Sequence, residues 1–278
     1  MRSLAGTAVA RNSLQPTTVD RRLIHEDARR IPQLLVSVRS ADEAEKAIAG
    51  GAEILDIKDP SRGSLGMGRL SDISAIAELN PIANGRIPLS VALGELCDWS
   101  GADAIPDLPE GIRFAKMGLS HTSHDPEWIS QWIRVRHLFR QQSGHRLSWV
   151  AVAYADADIA NAPRIEQVLE AAIRTECEGL LIDTWQKDGQ QLIDHVDAAR
   201  LEEIQIRCHR SGLFLALAGC LNVGSLPKLQ TVAADVIAIR SAACRKSDRN
   251  SELDSTQVAA FREKLHQVFS QTTANRSC

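Results

Sequence analysis

Residues 33–58 read QLLVSVRSADEAEKAIAGGAEILDIK, and this stretch decides the fold. The run 34–38 is short, apolar and rich in β-branched residues, as a strand covered on both faces requires. Residues 41–49 then space alanine and isoleucine at helical intervals among Asp42, Glu43, Glu45 and Lys46. Gly51 follows where a left-handed C-cap is expected, and 53–58 is a second apolar run. Two strands joined by a helix, not a tight turn, run parallel.

The same alternation continues down the chain. Further strand-like runs fall at 88–93, 112–119, 147–154, 179–184, 213–219 and 235–240, and helical spacing recurs at 128–140, 165–174, 192–210 and 256–269. Gly111, Gly179 and Gly212 punctuate the turns into strands. Eight strands in about 240 residues predict a single (β/α)8 TIM barrel, with an open doubly wound sheet as the alternative. The weakest helical patterns follow the second strand, in the Gly-rich 61–68, and the third, in 98–110 with its two prolines. Residues 1–31 form the expected flexible extension: they carry Arg2 and Arg11, no acid before Asp20, and no apolar core of a secretory signal. The barrel is assigned to 32–271 and a C-terminal tail to 272–278.

Composition narrows the function. A formal charge of −3 supplies no basic field for nucleic acid, and an aromatic share of 4% supplies no base-stacking platform. No apolar run approaches the roughly 20 residues of a membrane helix. The six cysteines lack any C-x-x-C pair and read as reduced thiols of a cytoplasmic protein. His121 and His124 have an H-x-x-H spacing with no acidic third ligand, so they read as a solvated loop and no metal site is expected.

The 32 basic residues divide into 25 arginines and 7 lysines. Where arginine supplies the surface charge, an inward lysine asks for a reason, and the reason available is chemical: lysine can give up its proton in a cationic or apolar pocket and arginine cannot. Catalytic groups of such barrels sit at the carboxyl ends of the strands. Those ends carry Asp56 and Lys58, Glu95, Lys116, Asp156, and Asp183 followed by Lys187. Asp56 and Lys58 are two residues apart and share one side of their strand, as do Phe114 and Lys116. Three ammonium groups in one cleft depress each other's pKa and yield a nucleophilic amine, while the carboxylates hold charge or move protons. The bland reading is a set of ion pairs closing the barrel mouth. The loops after strands seven and eight, with Gly219, Arg240 and Ser241, form the expected substrate-phosphate site. The Gly-rich 63–68 departs from a dinucleotide fingerprint and reads as a mobile loop over Lys58.

Several stretches also carry a resemblance: LLVSVR (34–39), DIKDP with GSLG (56–66), ALGEL (92–96), FAKMGL (114–119), LIDTWQKDG (181–189) and ALAG (216–219). Over roughly 33–265 the chain resembles the (5-formylfuran-3-yl)methyl phosphate synthase family of methanofuran biosynthesis, also called 4-(hydroxymethyl)-2-furancarboxaldehyde-phosphate synthase. The resemblance implies a cofactor-independent carbon–oxygen lyase of the cytoplasm that condenses two glyceraldehyde 3-phosphate molecules. It implies that Lys58 is the Schiff-base lysine and that Asp56, Lys116, Asp183 and Lys187 are the remaining acid–base and imine-forming positions. Cys220 stands where a serine is expected. The partner is then a small triose phosphate, with neither nucleic acid nor membrane involved, and the oligomeric state, homo-oligomer included, stays open. The rivals are another Schiff-base aldolase or decarboxylase-type barrel acting on sugar phosphates, and a non-catalytic barrel that binds a phosphorylated metabolite.

Overall fold

The computed structural model describes residues 31–102, 104–144 and 146–275. The expected extension at 1–31 lies, apart from Ile31, outside them. Eight parallel strands close in sequence order: β1 Gln33–Val38, β2 Ile54–Ile57, β3 Leu89–Glu95, β4 Ile112–Gly118, β5 Ser148–Tyr154, β6 Gly179–Asp183, β7 Phe214–Leu217 and β8 Val236–Ile239. Closure is made by β1 on β8, with Leu34 opposite Ile237.

Strand alternation sorts the core into two layers. Leu34, Val36, Leu55, Ile57, Val91 and Ile182 face outward and pack under the helices, whereas Leu35, Ile54, Ala92, Val152, Leu181, Ala216 and Ala238 fill the barrel. Each fully buried Leu, Ile or Val contributes roughly 1.5–3 kcal/mol. The same parity turns Asp56, Lys58, Lys116 and Asp183 inward at the carboxyl end of the barrel, all of them buried.

The helices differ from the sequence pattern where local chemistry intervenes. Helix α1, Ala41–Ala49, begins at Ser40, whose hydroxyl accepts the Glu43 N–H, and buries Glu43, Ala44 and Ala47. After β2 come a short turn at Pro60–Arg62 and helices α2, Leu70–Ala77, and α3, Asn80–Ala83. After β3 a single 3-10 turn, Leu96–Trp99, stands in for a helix, held by the Trp99 indole N–H donating to the Leu93 carbonyl at 2.7 Å. Helix α4 spans Trp128–Ser143, and α5, Ala157–Ala160, precedes α6, Ile165–Arg174. The segment 192–210, read as one helix, is two: α7, Leu192–His195, and α8, Ala198–Arg210. Asp197 restarts the chain by accepting the Arg200 N–H at 2.8 Å. The last helix, α9, runs Ser255–Asn275.

Candidate active site

Three strand ends, those of β2, β4 and β6, bring two charge groups together inside the barrel mouth. Deeper down, Lys116 from β4 forms an ion pair with the Asp56 Oδ1 of β2 and donates to the Ser90 hydroxyl at 2.8 Å, while the Ser37 hydroxyl donates to the Asp56 Oδ2 at 3.2 Å. Nearer the opening, Asp183 at the end of β6 faces two lysines. Lys187 Nζ lies 2.7 Å from its Oδ1, and also donates to the Thr184 hydroxyl at 3.2 Å. Lys58 Nζ lies 4.0 Å from its Oδ2. That spacing is an ion-pair distance without a hydrogen bond, and among the described residues the Lys58 ammonium has no acceptor.

The electrostatics follow from these partners. Burial pushes the Lys58 ammonium down to about 8; the Asp183 carboxylate pulls the other way, but Lys187 adds to the depression. For Asp183, burial would raise the carboxyl, yet Lys187 and Lys58 outweigh it and hold the group below its ordinary value. A carboxylate kept ionised beside an amine whose pKa is lowered to about 8 suits proton transfer at a carbon next to an imine.

The loops complete the wall. Asp59 caps the turn at Pro60–Arg62 by accepting the Ser61 N–H at 3.0 Å, and its own N–H donates to the Gly66 carbonyl at 2.8 Å. A Cβ at residue 66 would overlap the Asp59 carbonyl, so this tight return requires glycine. The fold-back buries Leu65 and aims the Ser64 hydroxyl at the Thr184 carbonyl, 3.0 Å away, and at the Asp183 Oδ2, 3.4 Å away. The segment expected as a mobile loop over Lys58 is therefore anchored onto the β6 end of the mouth.

A small cavity of about 40 Å³ is lined by Lys58, Asp183, Lys187, Gly219, Arg240, Ser241 and Arg249, among others. Gly219 has φ +97°, Cys220 follows at φ +52°, and among the described residues the N–H groups of Gly219, Cys220, Ser241 and Ala242 have no protein acceptor. A larger depression of about 370 Å³, bordered by Asp156, Arg164 and His195, contains none of the lysines. Asp156 contributes from that side by accepting the N–H groups of Trp185 and Gln186, which fixes the loop that carries Lys187. His121 and His124 are both exposed.

Arg240 requires a correction. It borders the cavity, but its Nε donates to the Arg249 carbonyl, its Nη1 to the Ser37 carbonyl and Glu43, and its Nη2 to Glu43 and the Ser251 carbonyl. All five donors of its guanidinium are spent inside the protein. The strand-end position suggested a ligand contact; closure of β8 onto β1 places Glu43 of α1 beside it instead.

The sequence reading missed Tyr154, the chain's single tyrosine. It is fully buried at the end of β5 and donates to the Glu95 carboxylate at 2.5 Å. Burial pushes the Glu95 carboxyl above its ordinary value, although the Tyr154 hydroxyl and the Ser120 N–H oppose that shift. A lone tyrosine at a strand end was the signal available.

A family model described as 4-HFC-P synthase matches residues 34–262. The chain is similar to the (5-formylfuran-3-yl)methyl phosphate synthase of Methanopyrus kandleri, with 34% identity over 222 residues, 79% of this chain and 92% of that protein. It is also similar to the protein of the same name from Methanocaldococcus jannaschii, 31% identical over 234 residues, 83% of this chain and 98% of the other. Among solved structures, 3-hexulose-6-phosphate synthase from Salmonella typhimurium superposes with a TM-score of 0.51 at 15% identity, over 86% of this chain and 99% of that one. Identity that low speaks for the barrel alone.

Proposed function

The chain belongs to the 4-HFC-P synthase family, and from that membership we propose that it condenses two glyceraldehyde 3-phosphate molecules into 4-(hydroxymethyl)-2-furancarboxaldehyde phosphate through an imine on Lys58. The observation that carries this reading is Lys58 itself: a buried amine without a hydrogen-bond acceptor among the described residues, its pKa pushed down to about 8, 4.0 Å from an ionised carboxylate.

Neutral Lys58 attacks the aldehyde carbon of one triose phosphate, and loss of water leaves an iminium whose nitrogen acts as an electron sink. The Asp183 Oδ2 accepts the proton from the adjacent carbon, giving an enamine. Lys187 holds the other carboxylate oxygen, so the base is fixed in position while it works. Expulsion of phosphate, carbon–carbon bond formation with the second triose and ring closure complete the furan, and hydrolysis returns Lys58. The balance is two trioses in, and one furan phosphate, one phosphate and two waters out. Lys116 and Asp56, paired beneath the mouth, shuttle protons during the dehydrations. The N–H groups of Gly219, Cys220 and Ser241 and the Ser241 hydroxyl receive the substrate phosphate.

The test is the purified chain with glyceraldehyde 3-phosphate as its only substrate. One phosphate should be released per two trioses consumed, followed by ³¹P NMR, with accumulation of a conjugated aldehyde absorbing in the near ultraviolet. Cleavage or condensation of other sugar phosphates without furan would favour the aldolase rival.

A further inference from the structure

We infer that Arg249 is the guanidinium that grips the substrate phosphate at this mouth. The inference deepens the function proposed above and rests on its phosphate-ester substrate. Four cations border the cavity: Lys58, Lys187, Arg240 and Arg249. Lys58 is the reacting amine, Lys187 is bonded to Asp183, and Arg240 is saturated by Glu43 and three carbonyls. Among the described residues Arg249 has no carboxylate within ion-pair distance, and its one protein acceptor is the Gly63 carbonyl, 3.0 Å from Nη2. Its Nε is buried without a partner among the described residues.

A guanidinium presents five N–H donors in a planar fork, and an unmatched buried donor is costly. The fold nevertheless spends bonds to put this one there. The carbonyl of Arg249 itself accepts from Arg240 Nε at 2.9 Å, Asn250 O accepts from Arg39 Nη1 at 3.1 Å, and Ser251 O accepts from both arginines at 3.3 Å. Arg39 and Arg240 are thus positioning residues that clamp the backbone of 249–251 so that the Arg249 side chain enters the cavity.

The chemistry of the facing wall selects the anion. Among the described residues the backbone N–H groups of Gly219, Cys220 and Ser241 have no protein acceptor, and Arg249 adds a bidentate fork beside them. Donors on several sides, with a fixed charge, fit the oxygens of a phosphate monoester better than the flat pair of a carboxylate. The contact to Gly63 ties this grip to the anchored loop whose Ser64 reaches Asp183.

Titration calorimetry of the full chain with inorganic phosphate tests the assignment. Arg249→Gln should weaken phosphate binding at least about tenfold and raise KM for the triose phosphate in proportion. Its melting temperature should stay close to wild type, and borohydride trapping at Lys58 should persist at saturating substrate. Arg249→Lys, which keeps the charge without the fork, should fall between the two. Wild-type phosphate affinity in Arg249→Gln overturns the inference, as does wild-type affinity in Arg249→Lys should the glutamine variant fail to fold. Phosphate binding that depends on Arg249 in a chain that makes no furan supports Arg249 and overturns the proposed reaction. Furan production with phosphate affinity indifferent to Arg249 overturns Arg249 and leaves the reaction standing.

Discussion

Two clusters share the carboxyl end of the barrel, and each sets two cations against one buried carboxylate. Under β1 and β8, Glu43 takes Arg39 and Arg240; between β2 and β6, Asp183 takes Lys58 and Lys187. In the arginine cluster the surplus positive charge is fixed, so the fold supplies carbonyl oxygens from Ser37, Arg249 and Ser251 until all five Arg240 donors are satisfied, and those of Asn250 and Ser251 to Arg39. Burial works against the Glu43 carboxylate too, but the bonds from Arg240 and Arg39 hold its pKa below the ordinary value. In the lysine cluster no such carbonyls surround Lys58 among the described residues, and burial with the nearby Lys187 loosens its proton, lowering the pKa to about 8. The same charge ratio gives a structural clamp with arginine and, with lysine, an amine able to serve as the nucleophile proposed above.

Converting the second cluster into a copy of the first is the strongest way to break this comparison. Lys58→Arg keeps the charge but cannot form an imine, so turnover should fall at least ~10³-fold, about 4 kcal/mol of barrier, and borohydride should no longer attach substrate there. Retention of a tenth of wild-type activity would move the nucleophile elsewhere, with Lys187 next in line.

The arginine cluster should respond in stability. Glu43→Gln leaves the Arg240 guanidinium buried without its counter-charge, and urea unfolding at fixed pH should register a loss of about 3–5 kcal/mol. A loss below about 1 kcal/mol would mean that the carbonyls by themselves carry the charge.

The mildest probe is pH. In the proposed reaction only the neutral Lys58 amine attacks, so kcat/KM should rise about tenfold per unit below pH 8 and level above it. Linkage has the same sign: between about 8 and the ordinary lysine value of 10.5 the folded chain binds fewer protons at Lys58 than the unfolded chain, so this residue makes stability increase with pH across that window. A rate profile flat from pH 6 to 9 would remove the low-pKa amine from the mechanism.

Much of this site is legible in the amino-acid sequence. The period of two in a strand turns Asp56 and Lys58 to one side, and barrel parity makes that side the inside; Lys116 and Asp183 follow by the same count. The scarcity of lysine marks these positions as unusual. Pairing is what local sequence does not reveal. Lys58 and Asp56 are neighbours in sequence, yet Asp56 is taken by Lys116 and the carboxylate nearest Lys58 is Asp183, contributed by β6. Arg240 is expected at the phosphate because it ends a strand, and nothing local shows that Glu43 lies beside it. Arg249 sits in a polar loop without pattern, so no local signal singles it out.

The sequence by itself determined the eight strands, their parallel order and which side chains enter the barrel, because these depend on hydrophobic period and turn chemistry within a few residues of each position. Only the tertiary structure decided which charges are matched and which are left open. Ring closure of β8 onto β1 brings Arg240 to Glu43 and leaves Lys58 facing a carboxylate already held by Lys187. Whether a buried cation keeps its proton depends on the acceptors that reach it through space, and sequence distance carries no record of those.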